Sequence, residues 1–142
     1  MAIMKVGIEV DKESELYTKA KALCEGLEVR FGKAFTIPFP MQEVATCCGI
    51  AKCNALRMSV DYRKGGCSYY DGHSYPSSYY LNITPVERTE YGYRSMMFGG
   101  GNCTIAGCNR NTEKQRALAV KAVQDELVET VYTALAYYKI KI

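Results

Sequence analysis

The residues best suited to chemistry lie between Tyr91 and Arg116, in the stretch YGYRSMMFGGGNCTIAGCNRNTEKQR. Aromatic rings, three arginines, a triple glycine and small polar side chains crowd together there, just ahead of the longest helix-like segment of the chain. Aromatic faces stack on flat bases, guanidinium forks pair with phosphate oxygens, and glycines let backbone N–H groups approach an anion where a side chain would intrude. That is the chemistry of holding a planar, phosphorylated ligand. The single histidine, and the lack of Cys-x-x-Cys and Gly-x-x-x-x-Gly-Lys-Ser/Thr patterns, point to binding rather than catalysis.

Within this stretch, Asn109-Arg110-Asn111-Thr112 stands where unpaired N–H groups and the helix dipole together favour an anion. Capping accounts for Asn111 and Thr112, but not for Arg110, nor for Arg116 about one turn further on. These two arginines are the candidate phosphate pair. Gly99-Gly100-Gly101-Asn102 could form an N–H nest, with Thr104 adding a hydroxyl, or could simply be a flexible turn. Tyr91 and Tyr93 share a strand face beside Arg94 and are candidates for stacking, as is Phe98, although an aromatic at a strand end is commonly core. Tyr79 and Tyr80 read as strand residues. Arg30, closing the first helix, could complement the dipole or reach the ligand, and Arg57 and Arg88 rank behind it for the same charge pairing.

Other chemistries find less support. Structural zinc sites present matched pairs of Cys-x2-4-Cys; Cys103/Cys108 has such a spacing, but buried reduced cysteine behaves as a small apolar residue, so the seven cysteines are read that way and no metal or cofactor is expected. A thiol nucleophile would need a base, and His73 is the one imidazole. No spacing singles out a working pair among Asp61, Asp71, Glu87 and Glu90, so a small nucleotide-acting enzyme is an alternative without a named dyad. A second alternative is a double-stranded-RNA-binding-like module. GCNRNTEKQRALAVKAVQDEL echoes the final helix of such domains, but Arg110, Lys114 and Arg116 are interrupted by Glu113 where those domains place a lysine cluster.

A net charge of +3 tolerates an anionic small molecule and falls well short of what gripping a long nucleic acid requires. With 48% hydrophobic and 23% charged residues, the 142-residue chain is expected to form one globular domain, residues 1–142. The start MAIMKVGIEV lacks a secretory pattern and no apolar run approaches the roughly 20 residues of a membrane span, so the expectation is a cytoplasmic protein with reduced thiols and no membrane partner.

Periodicity gives the elements that must position these residues. Val6, Ile8 and Val10 alternate as in a strand over Met4–Val10, and Leu16, Ala20, Leu23, Cys24, Leu27 and Phe31 recur at helical spacing up to Gly32 behind the capping run Asp11–Ser14. Pro38 and Pro40 break the next segment, and Leu56, Met58, Val60 and Tyr62 then share one face of a strand. Residues 63–78 read as a long loop, and Ser78–Thr84 and Tyr91–Phe98 as strands joined through PVERTE. Thr112-x-x-Gln115 is a capping box, and Val120, Val123, Leu127, Val131, Leu135 and Tyr138 carry one stripe to the end. About 27 residues at 1.5 Å give a helix of roughly 40 Å, longer than such a domain is wide, which predicts an oligomer. The expected class is α+β: an antiparallel sheet and two helices in the order β-α-β-β-β-α, the last of them long.

This layout resembles the first described family of phage Thoeris anti-defence proteins, sponges that sequester cyclic ADP-ribose signals, over nearly the whole chain from MKVGIEVDKESELYTKAKAL to the final helix. YGYRSMMFGGGN and GCNRNTEKQR carry most of the likeness. The resemblance implies a non-enzymatic, phage-encoded counter-defence protein in the host cytoplasm, assembled as a dimer or hexamer, that encloses glycocyclic ADP-ribose unchanged. From some members of the family it further implies a separate site for cyclic trinucleotides. The family pocket uses arginine, asparagine and an aromatic ring, which here match Arg30, Phe98, Asn102, Arg110 and Arg116, with Tyr91 and Tyr93 as alternatives for stacking.

Overall fold

The fold is described from a computed structural model, which covers residues 6–46, 49–67, 70, 72–75, 77–95, 101–105 and 110–142, with the backbone alone at 46, 75, 93–95 and 101–102. The class is α+β, with an antiparallel sheet and three helices. Helix α1 (Glu15–Cys24) starts where the Ser14 hydroxyl accepts the Tyr17 N–H at 3.2 Å and an Asp11 carboxylate oxygen accepts the Glu13 N–H. It ends well before Gly32: Gly26, at φ 77°, turns the chain away, and Leu27 and Phe31 sit on the irregular stretch beyond it. The strand expected at the beginning is not formed over residues 6–10, where Gly7 adopts φ 72°.

Strands β1 (Phe35–Thr46) and β2 (Gly49–Arg63) form a long hairpin, so the segment containing Pro38 and Pro40 is a strand after all. Proline cannot donate to a ladder, and the prolines are tolerated because β1 is an edge strand whose register slips between Pro38 and Gln42. The 63–78 stretch contains a small ribbon, β3 (Gly66–Cys67) with β4 (Ser74–Tyr75). β5 (Ser78–Thr89) runs straight through PVERT instead of turning there, and reverses at Glu90–Tyr91 into β6 (Gly92–Ser95). β7 (Gly101–Ile105) pairs with the first half of β5 as β6 pairs with the second, so the two share the place beyond β5 in the order β1-β2-β5. Gly101 and Asn102 thus belong to a strand, not to a nest.

Leu56, Met58 and Val60 on β2 and Tyr79, Leu81 and Ile83 on β5 form the buried face, as the alternation in β2 predicts. On this face packs α2 (Glu113–Asp125), and α3 (Leu127–Tyr137) contributes to the same core. The apolar stripe Val123, Leu127, Val131, Leu135 is buried as expected, but the long helix is two helices broken at Glu126 (φ −108°, ψ 18°). The break coincides with a change of partner. α2 packs on the sheet, and its Gln124 amide holds the segment after α1 by accepting from Val29 N–H (2.7 Å) and donating to Leu27 C=O (3.1 Å); α3 packs on α1. The single long helix that argued for an oligomer is therefore interrupted after its first 13 residues. None of the helices among the described residues is long and apolar enough to cross a membrane.

Candidate functional site

Arginine, asparagine and aromatic rings converge at the start of α2. Thr112 is the N-cap, its hydroxyl accepting the Gln115 N–H at 3.2 Å, which is the expected first half of the capping box. The reciprocal half is not made: the Thr112 N–H donates to Arg110 C=O, and among the described residues the buried Gln115 Oε1 has no partner. One turn on, the Arg116 Nε–H donates to Asn111 Oδ1 at 2.9 Å, and its guanidinium lies over the Phe31 ring, 5.7 Å from the centroid. Below are two more rings. Phe31 meets Tyr79 edge-on at 5.9 Å, and Tyr79 meets Tyr62 at 5.0 Å across the β2–β5 pair. Tyr79 is fully buried, and its hydroxyl donates to Arg110 C=O at 2.7 Å, so the turn that presents Arg110 and Asn111 is pinned from the sheet.

This geometry leaves Arg116 pre-oriented. Asn111 engages only its Nε–H, so among the described residues the terminal guanidinium nitrogens make no hydrogen bond. They sit beside a helix N-terminus, where an anion is favoured, and on an aromatic surface. The Arg110 side chain is exposed at the same turn. No known protein family, curated protein or solved structure matches this chain. Its chemistry must be read from the residues alone, and they offer an oxyanion two forks and a flat ligand a ring.

The remaining candidates are scattered. Arg30 is adjacent to Phe31, but its guanidinium is exposed and paired with Glu28 at 3.2 Å. Thr104 pairs with Tyr80 on β7, one residue out of phase with the buried Ile105 and Tyr79, and so points to the opposite face of the sheet. There the guanidinium of Arg63 lies 5.9 Å from the Tyr80 ring. Tyr91 is at the β5–β6 turn and 94% exposed, separated from Tyr79 by most of β5, about 30 Å. Tyr93 and Asn102 are placed by their backbones only, on β6 and on β7 opposite Asn82. Phe98, Gly99, Gly100, Asn109 and Cys108 fall outside the described residues.

Sequence reasoning misses Phe31, which reads as one more apolar position of the first helix. The signal is Gly26, whose place between Cys24 and Phe31 ends that helix early. The acid candidates that are described are not paired with one another: Asp61 accepts from the Ser59 hydroxyl at 2.7 Å. Burial pushes the Cys24 thiol up to about 11, and raises Cys53 and Cys103 as well, Cys53 also through the carboxylate of Glu87. These thiols stay protonated at neutral pH and are poor nucleophiles there. Among the described residues there is no cluster of three or more His, Cys, Asp or Glu arranged to hold a metal.

Proposed function

We propose that this chain binds and holds a cyclic ADP-ribose isomer without converting it, and so withdraws a bacterial Thoeris defence signal. The observation that carries the reading is the Arg116 guanidinium, fixed over Phe31 by Asn111 at the N-terminus of α2. A cyclic ADP-ribose offers a diphosphate for Arg116 and Arg110, and a base for an aromatic face. The fixed fork keeps the ordering cost of binding low, because its rotamer is set before the ligand arrives. Resemblance to the anti-defence sponges supports the same assignment. A dimer or hexamer, and a separate site for cyclic trinucleotides, rest on that resemblance alone.

The test is to mix purified protein with a panel of cyclic ADP-ribose isomers and cyclic oligonucleotides, remove unbound ligand, heat-denature, and identify what returns by mass spectrometry. The expected result is one ligand depleted and recovered at unchanged mass, with Arg116→Ala weakening retention by roughly 10- to 100-fold while the circular dichroism spectrum holds. A changed mass would make the protein an enzyme. No depletion, together with duplex-RNA affinity that falls steeply with salt, would make it an RNA-binding module.

A further inference from the structure

The second face of the sheet carries a different set of side chains. Along β2 and β5 every other residue belongs to the buried face, so Ser59, Asp61 and Arg63 on β2, Tyr80 and Asn82 on β5, and Thr104 on β7 line the face opposite. The register sets them in rungs: Ser59 opposite Asn82, Asp61 opposite Tyr80, and Tyr80 opposite Thr104. Buried residues of all three helices join Leu56, Met58, Leu81 and Ile83 in one core cluster, to which none of the residues in these rungs belongs. Among the described residues, no helix covers this polar face.

Several of these side chains are held by neighbours and keep binding capacity to spare. The Ser59 hydroxyl donates to Asp61 Oδ2 at 2.7 Å, which anchors the carboxylate at the sheet. The Thr84 hydroxyl donates to Asn82 Oδ1 at 3.2 Å and so orients that amide, while among the described residues the two Nδ2 hydrogens are left unclaimed. Arg63 is exposed, its guanidinium 5.9 Å from the Tyr80 centroid and, among the described residues, in no ion pair or hydrogen bond. A guanidinium lying on a ring presents its outer plane to a base and its edge to a phosphate. Same-face residues recur about every 7 Å along a strand, which spaces a stacking group and an amide for successive units of an extended chain. A protein partner would seek an apolar centre, which these rungs lack, and a duplex offers mainly backbone charge, which Asp61 opposes in mid-face. A single strand with splayed bases meets neither objection.

We infer that this face binds a short single-stranded nucleic acid, with an oxo-bearing pyrimidine against Arg63 and Asn82 and a neighbouring phosphate on the Arg63 fork. Uracil and thymine turn carbonyl oxygens toward donors and a ring N–H toward an acceptor; Asn82 Nδ2 supplies the donors, and the Asp61 carboxylate or the Thr104 hydroxyl accepts. One exposed arginine suits a few nucleotides and not a long duplex, in keeping with the net charge of +3. The face is separate from the site at α2, because Tyr79 and Tyr80 are successive residues of β5 and point to opposite sides of the sheet. It therefore stands whether or not the α2 site holds a cyclic ADP-ribose.

The test is fluorescence anisotropy of the full chain with end-labelled hexauridylate and hexathymidylate, against hexaadenylate and a duplex RNA. At least one pyrimidine oligomer is expected to bind, the tighter of the two naming the source, with hexaadenylate and the duplex weaker. Arg63→Ala, an exposed position, lowers that affinity roughly tenfold, and Asn82→Ala removes the preference over hexaadenylate. A tenfold rise in salt costs only about fivefold, the loss of one phosphate contact to a single strand. Binding persists in Arg116→Ala, and Arg63→Ala retains cyclic ADP-ribose as the wild type does, so failure at one site is not mistaken for failure at the other. No binding of either pyrimidine oligomer, tighter binding of the duplex, an Arg63→Ala protein that binds like the wild type, or loss of binding in Arg116→Ala would each overturn the inference.

Discussion

At the start of β5, Arg116 rests on Phe31 above the buried Tyr79, and the carbonyl of Arg110 is tied to the Tyr79 hydroxyl; at the end of β5, Arg88 is exposed and reaches Thr36 across a cleft. The first arrangement is built on the core. Phe31, Tyr62 and Tyr79 pack among Val60, Leu81 and Ile105, so orientation of the arginine is coupled to the folding of the whole sheet. The second depends on local hydrogen bonds, those of Asn54 and Thr89, near solvent. Two ways of fixing a guanidinium thus occur along one strand, and they should fail differently.

The largest separation is expected from Tyr79→Ala. Removing a fully buried aromatic and its hydroxyl leaves a cavity and frees the Arg110 carbonyl, so urea unfolding should show a loss of about 3–5 kcal/mol. Arg88→Gln, at the exposed end, should stay within about 0.5 kcal/mol of wild type. Similar losses in the two variants would break the comparison. A smaller and more local effect is expected from Asn54→Ala. Two hydrogen bonds to the Arg88 backbone disappear, for about 1–2 kcal/mol in the same assay, while retention at the α2 site is unchanged. Loss of retention in Asn54→Ala would mean that the two ends of β5 are coupled.

The same contrast explains what is legible in the sequence. Periodicity reports burial, and the positions fixed by burial are the ones it places correctly: Leu56, Met58 and Val60 on β2, and the stripe from Val123 to Leu135. Thr112 as a cap is visible because capping is a local event. Features set by tertiary partners are not. Nothing local to Glu126 announces the break, which coincides with the change from α2 packing on the sheet to α3 packing on α1, and Pro38 and Pro40 look like breakers until β1 is known to be an edge. The cluster at α2 is half visible: Arg110, Asn111 and Arg116 lie close together in sequence, whereas Phe31 is brought in by a chain reversal, its neighbour Gly32 bonding to Val60 C=O. Arg57 and Arg88 stand far apart along the chain, and only the strand register brings them to one cleft.

The subtlest difference between the two ends of β5 concerns thiols. Cys103, paired with Leu81 near the α2 site, is raised by burial alone, whereas Cys53, beside Asn54, is raised by burial first and then by the Glu87 carboxylate. Both folded values lie above the ordinary 9.0, so stability is intact below about pH 9, where folded and unfolded thiols are alike protonated. It is lost as pH rises further, because the unfolded chain releases protons that the folded chain retains. Glu87→Gln removes one of the two causes at Cys53 and neither at Cys103. Site-resolved alkylation between pH 8 and 10, followed by mass spectrometry (about one unit either side of the ordinary thiol value), should show Cys53 ionising at lower pH in that variant, with the Cys103 profile unmoved. Equal movement of both thiols would mean that the substitution loosens the sheet as a whole, and that the exposed end of β5 is not as separate from the core-built end as their hydrogen bonds indicate.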